Sequence, residues 1–187
     1  MEAMPSDYAA ELAAHYAKAW GVSGRRRRWS KRPVHDLTAG SCVLEHPPSS
    51  KTDCWVYGTC GMAMGRGPWL ELHMLSPRSD AAIVELLTSV AHYHVNGAQL
   101  GMFHSVNFGR PWLPGSHADH GLISLPYPFG ESLEVAEITG QQVRCYWLLP
   151  ITKAEFDFKK KHGVDALEEA FEKAGLDYLD VERASVV

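Results

Sequence analysis

Tyr8, Leu12, Tyr16 and Trp20 recur at every fourth position, with Ala9 and Ala13 beside them. The spacing predicts a helix over about residues 6–20 that lays one aromatic stripe on the body of the protein. Ser6 and Asp7 offer its cap, and Gly21 stops it. The pattern fades over residues 21–53, which hold Arg25-Arg26-Arg27-Arg28, Pro33 and Pro47-Pro48. Short strands are expected there near 25–35 and 41–46, with an exposed loop over Pro47-Pro48-Ser49-Ser50-Lys51. Residues 54–60 and 69–75 are rich in strand formers, and the turn between them, with Gly65-Arg66-Gly67-Pro68, predicts a hairpin. Ile83, Leu86, Leu87, Val90 and Ala91 mark the buried face of a helix over about residues 80–95.

Residues 96–121 carry several glycines and prolines and read as a long structured loop with a short strand within 101–108. Strands follow at 122–125, at 133–138 and, most strongly, at 142–149. Thr152-Lys153-Ala154-Glu155 is a capping box that opens a helix running to His162, and Gly163 stops it. Asp165-Ala166-Leu167-Glu168 has a similar spacing, with Asp165 in the cap position, and that last helix ends at Gly175. Adjacent strands joined by short turns favour antiparallel pairing. The expected fold is therefore α+β, a mostly antiparallel β-sheet with helices packed on it.

The 187 residues fit one domain spanning 1–187, with 1–50 as an N-terminal helix and basic segment and 51–187 as the core. A hydrophobic share of 45% against 21% charged excludes a disordered chain. No apolar run reaches transmembrane length, and the acidic N-terminus has no basic region before an apolar core. A cytoplasmic protein without a membrane partner is expected. The four cysteines lack CxxC spacing and read as reduced thiols. A net charge of -4 argues against a general nucleic-acid binder. The charge is uneven, however. Residues 1–50 hold seven Lys/Arg against five Asp/Glu, and residues 151–187 hold six against nine.

Several patterns invite a chemical reading. Six of the ten histidines lie between His73 and His120, the others being His92, His94, His104 and His117. His117-Ala118-Asp119-His120 offers two imidazoles and a carboxylate, and His92 and His94 could add to them. A catalytic zinc needs three such ligands and an open position, so a metal-dependent hydrolase built on 92–120 is the alternative reading. HExxH and paired cysteines are lacking, so surface and loop histidines are the favoured interpretation, and no metal or cofactor is expected. Cys60 before Gly61 is the best candidate thiol nucleophile, yet a buried strand cysteine explains it better. No GxSxG elbow or nucleotide loop occurs.

The chain resembles the Suppressor of fused family, in particular its short bacterial members. The resemblance rests on Trp55-Val56-Tyr57-Gly58-Thr59-Cys60-Gly61-Met62-Ala63, on Leu70-Glu71-Leu72-His73-Met74, and on the helix at 80–95. It is most telling in the C-terminal block, where Leu148-Leu149-Pro150-Ile151-Thr152-Lys153-Ala154-Glu155 and Gly163-Val164-Asp165-Ala166-Leu167 precede Asp180-Val181-Glu182-Arg183-Ala184-Ser185-Val186. The resemblance spans about residues 50–187 and implies a non-enzymatic protein-binding module. The animal member binds transcription factors whose peptide adds as a strand between two lobes, and this chain has length for one lobe. The short bacterial members resemble immunity proteins of polymorphic toxin systems, so the implied partner is a protein, either a toxin domain or a regulatory protein.

Two segments are candidates for its binding face. Asn107-Phe108-Gly109-Arg110-Pro111-Trp112 is an aromatic loop with one cation, and Arg and Trp are favoured at interface centres. Arg110 and Trp112, with His117, Asp119 and His120 beside them, form the first candidate. The second is Arg25, Arg26, Arg27 and Arg28, which can meet an acidic partner or phosphates, or be a solvated strand paired with the acidic half of the chain.

Overall fold

The computed structural model describes residues 4–29, 39–64 and 68–187. The last part of the strand expected at 25–35 and the Gly65-Arg66-Gly67 turn lie outside them. The elements in chain order are α1 (Ser6–Trp20), β1 (Arg25–Arg27), β2 (Cys42–His46), β3 (Trp55–Cys60), β4 (Leu70–Ser76), α2 (Ala81–Asn96), β5 (Ser105–Asn107), β6 (Ala118–Ser124), α3 (Glu131–Glu134), β7 (Val135–Ile138), β8 (Gln141–Thr152), α4 (Lys153–His162) and α5 (Val164–Ala174). A 3-10 turn, Met62–Met64, lies between β3 and β4. The eight strands form one sheet of order β1-β2-β3-β4-β8-β6-β5, with β7 paired to the first residues of β8. The pairing is antiparallel throughout except between β4 and β8, where Leu70 lies opposite Arg144 and His73 opposite Trp147. This is the α+β, mostly antiparallel architecture that the strand spacing predicts.

Each sheet face carries its own core. On one face the α1 stripe of Tyr8, Leu12, Tyr16 and Trp20 packs with Val56, Cys60, Cys145, Leu149 and Ile151, and Leu167 and Phe171 of α5 join the same cluster. On the other face Ile83, Leu86, Leu87 and Val90 of α2 pack with Val43, Leu72, Met74 and Leu148, together with Trp112 and Leu113 from the long connection. Burying one such side chain contributes about 1.5–3 kcal/mol, so these two clusters dominate the stability. The α1 stripe approaches β3 at Gly58, where an added Cβ would sit 2.5 Å from Tyr16 Cε2. Gly58→Ala is expected to lower stability by about 1–3 kcal/mol, because neither the ring nor the strand can withdraw. Urea unfolding of the variant beside the parent checks this.

Five boundaries differ from the sequence expectation. The N-cap position of α1 is taken by Pro5, with no side-chain cap bond, and Ser6 and Asp7 lie in the first turn instead. β6 begins at Ala118, inside the expected loop, and has a bulge between Ala118 and His120. The strand expected from 133 opens as the helical turn α3. β8 runs past Pro150 to Thr152 because β6 stays paired with it as far as Ala118, and Pro150 is tolerated there because β4 has already left at Trp147. The α5 cap position is taken by Gly163, and Asp165 lies in the first turn, where it favours the positive end of the helix dipole. The Thr152–Glu155 capping box forms as expected.

Candidate functional site

The two expected binding segments do not come together. Arg25 to Arg27 form β1 at one end of the sheet, whereas β6 is five strands away, about 24 Å at ordinary strand spacing. Arg25 and Arg27 turn to the same side and both bind the buried Glu45 carboxylate, Arg27 at 2.6 Å. Tyr57 at 2.9 Å and Ser79 at 2.7 Å also donate to it. Burial pushes the Glu45 carboxyl up, but Arg25, Ser79, Arg27 and Tyr57 outweigh it and hold the group near about 2. Half of the arginine cluster is thus structural, and Arg26 and Arg28 remain exposed.

The second segment also divides. Trp112 is 2% exposed and its indole is part of the α2-side core, so it pins the long connection and presents no surface. Its backbone N–H donates to Ala118 O at 3.0 Å. Arg110 reaches back to Glu85 of α2 at 3.0 Å. His117 is exposed, whereas His120 is 4% exposed and stacks on Phe156 of α4 at 4.6 Å. Asp119 accepts from His120 Nδ1 at 2.6 Å. The two imidazoles of the HxDH pattern thus lie in different surroundings, His117 ahead of β6 in solvent and His120 within β6 against α4. Leu100 N–H donates to Nδ1 of the buried His94, and burial holds that ring below its ordinary range, hence neutral. Among the described residues no group of three His, Cys, Asp or Glu side chains is placed to hold a metal ion. Cys60 is 1% exposed and opposite Cys42, and their hydrogen bond together with burial raises its thiol far above the ordinary range. It is not an available nucleophile.

A recess among the described residues lies elsewhere. An open trough of about 770 Å³ runs along α5. Leu122 of β6 and Trp147 and Leu149 of β8 form its floor, Tyr127 and Pro128 one side, and Leu176 and Tyr178 its end. The α5 side contributes Phe171 from below and Asp165, Glu168, Glu169 and Glu172 along the rim. α5 supplies both kinds of residue because Leu167 and Phe171 face the sheet while carboxylates occupy the flank. Glu168 bridges the trough, accepting from Ser124 at 3.2 Å and Tyr127 at 3.3 Å. Tyr178 meets Trp147 edge-on at 5.1 Å, which fixes the end wall. The acidic spacing 165, 168, 169, 172 was visible in the sequence, but the floor comes from strands and a loop distant in the chain. Both ends of the sheet are strands of three residues, β1 and β5, which offer little ladder for an added strand.

A two-faced α+β sheet with a trough lined by apolar side chains and carboxylates is a scaffold that can present a binding surface. The chain belongs to the Suppressor of fused family: the family model described as Suppressor of fused protein (SUFU) matches residues 35–184. The crystal structure of a SUFU homolog from Neisseria gonorrhoeae FA 1090 superposes with a TM-score of 0.86 at 34% identity, covering 98% of both chains. The Sufu-Fu complex structure, at 11% identity and a TM-score of 0.72 over 98% of this chain and 93% of that one, shares the fold. Drosophila Suppressor of Fused shares it too, at 12% identity and a TM-score of 0.71, over 97% of this chain and 52% of that one. Immunity protein YqcF of Bacillus subtilis (strain 168) is 26% identical over 118 residues, which are 56% of this chain and 62% of that protein. No helix among the described residues is long and apolar enough to cross a membrane.

Proposed function

We propose that this chain is a non-enzymatic protein-binding module, an immunity protein that binds a cognate toxin domain in the cytoplasm and neutralises it. The observation that carries this reading is its similarity to Immunity protein YqcF. The Sufu-Fu complex supports the broader step, since that relative of the same fold is seen with a protein bound. The trough along α5 gives this chain a surface of suitable chemistry. Arg26, Arg28, Arg110, His117 and Asp119 remain candidates for peripheral contacts, while Trp112 and His120 support the fold beneath them.

The test is protection. Expression of the cognate toxin domain should arrest growth, and co-expression of this chain should restore it through a stoichiometric complex. Arrest that persists despite soluble, folded protein would reject the immunity reading. Turnover of the toxin by catalytic amounts of the chain would reject the non-enzymatic one.

A further inference from the structure

We infer that the trough along α5 is the docking site for a cationic, amphipathic polypeptide segment of the protein partner, with apolar side chains on its floor and Lys or Arg along its rim. This rests on the reading of the chain as a protein-binding module. Over a floor of Leu122, Trp147, Leu149 and Phe171 that is already buried, the exposed Tyr127 and Pro128 and the half-buried Leu176 and Tyr178 offer apolar surface that a partner's apolar side chains would remove from water. The rim decides the charge of the occupant. Asp165, Glu168, Glu169 and Glu172 line one side over two helical turns, about 10 Å. No salt bridge neutralises any of the four among the described residues. An acidic or neutral occupant would strip water from these carboxylates without replacing it, whereas Lys or Arg at helical spacing would pair with them. A second copy of this chain brings its own net charge of -4, which opposes self-association. The trough is open and its lining follows α5 from Asp165 to Glu172, so a partner helix can lay its apolar face beside it.

The probe is a synthetic Leu/Lys amphipathic peptide of about 18 residues, five helical turns, titrated into the full chain by fluorescence anisotropy. Two controls accompany it, a Ser/Lys peptide of equal charge and a Leu/Glu peptide of equal apolarity. Saturable one-to-one binding is expected for Leu/Lys alone. The triple variant Asp165→Asn, Glu169→Gln, Glu172→Gln changes exposed positions and leaves the Glu168 bridge intact. It should weaken binding about tenfold, three rim pairs being lost, and added salt should do the same to the parent. Absence of binding, equal binding by the triple variant, or binding of the Leu/Glu peptide would each overturn the inference. So would a concentration-dependent dimer that the triple variant dissolves, since the occupant would then be a second copy. Growth protection reads the immunity proposal separately: protection without peptide binding strikes this inference alone, and peptide binding without protection strikes the immunity reading alone.

Discussion

Arg183→Ala lowers the unfolding free energy by about 3–5 kcal/mol, the range for breaking a buried ion pair from one side. The expectation comes from how much Glu155 depends on this one side chain. Glu155 is fully buried. Its two oxygens accept the Arg183 guanidinium in a fork, at 2.6 and 2.9 Å, with further donation from Thr152 N–H at 2.8 Å and Val186 N–H at 3.1 Å. Arg183 also donates to Pro150 O at 3.0 Å. Removing the guanidinium leaves a carboxylate in the interior with two amide partners and no counter-charge. Arg183→Met, which keeps most of the volume, should cost nearly as much, because the loss is electrostatic rather than one of packing. Urea unfolding checks both variants. A cost below about 1 kcal/mol would mean that the pair behaves as an ordinary surface contact.

The same clamp has a functional consequence. Thr152 Oγ1 and Ser185 Oγ lie 3.2 Å apart, so the tail is tied to the end of β8 at two points. That tail follows directly on Leu176 and Tyr178, which close the trough. Loss of Arg183 should therefore weaken peptide docking as well as stability, although Arg183 touches no peptide. The motif on which the family resemblance leaned most, a Pro-Ile-Thr cap followed far downstream by Arg-x-Ser, is physically one object. Its two halves meet at Glu155.

Legibility in the sequence follows the range of the interactions. The α1 stripe and the Thr152–Glu155 box are local patterns, repeated within a few residues, and both stand where expected. The hairpin of β3 and β4 is likewise local. The parallel pairing of β4 with β8 joins Leu70 to Arg144, and no local signal specifies it. Trp112 shows the opposite failure. An aromatic beside an arginine in a glycine-rich loop suits a surface hot spot and a core anchor equally well, and only its burial on the α2 side decides. The trough was half legible, since the carboxylates of α5 are evident while a floor assembled from β6, β8 and the Tyr127 loop is not.

Stability should fall as the pH drops below about 6.5, and His73 should be the largest single cause. His73 lies fully buried on β4, with the Trp20 ring at 5.8 Å and the Phe129 ring at 6.0 Å. Neither ring nitrogen has a hydrogen bond of ordinary geometry among the described residues, and the Tyr146 backbone gives a weaker polar contact. Burial therefore pushes the imidazole down to about 3, with the Tyr146 backbone opposing weakly. The unfolded chain takes up a proton there near its ordinary value, and the folded chain does not. Below that value the unfolded state binds more protons, so acid favours it. The contribution is complete above about 6.5 and is lost progressively down to about 3, amounting to about 2 kcal/mol by pH 5. His46 and His94, also held low by burial, act in the same direction. Glu45, held near about 2, adds a further loss below the ordinary carboxylate range. Glu71, whose carboxyl burial raises, has the opposite sign. These other groups are common to the parent and to His73→Leu, so they cancel in the difference between the two. Unfolding measured at pH 7 and at pH 5 should show the variant gaining about 2 kcal/mol on the parent over that interval. Parallel stability curves would mean that His73 carries its proton in the folded core, and would require an acceptor near the ring.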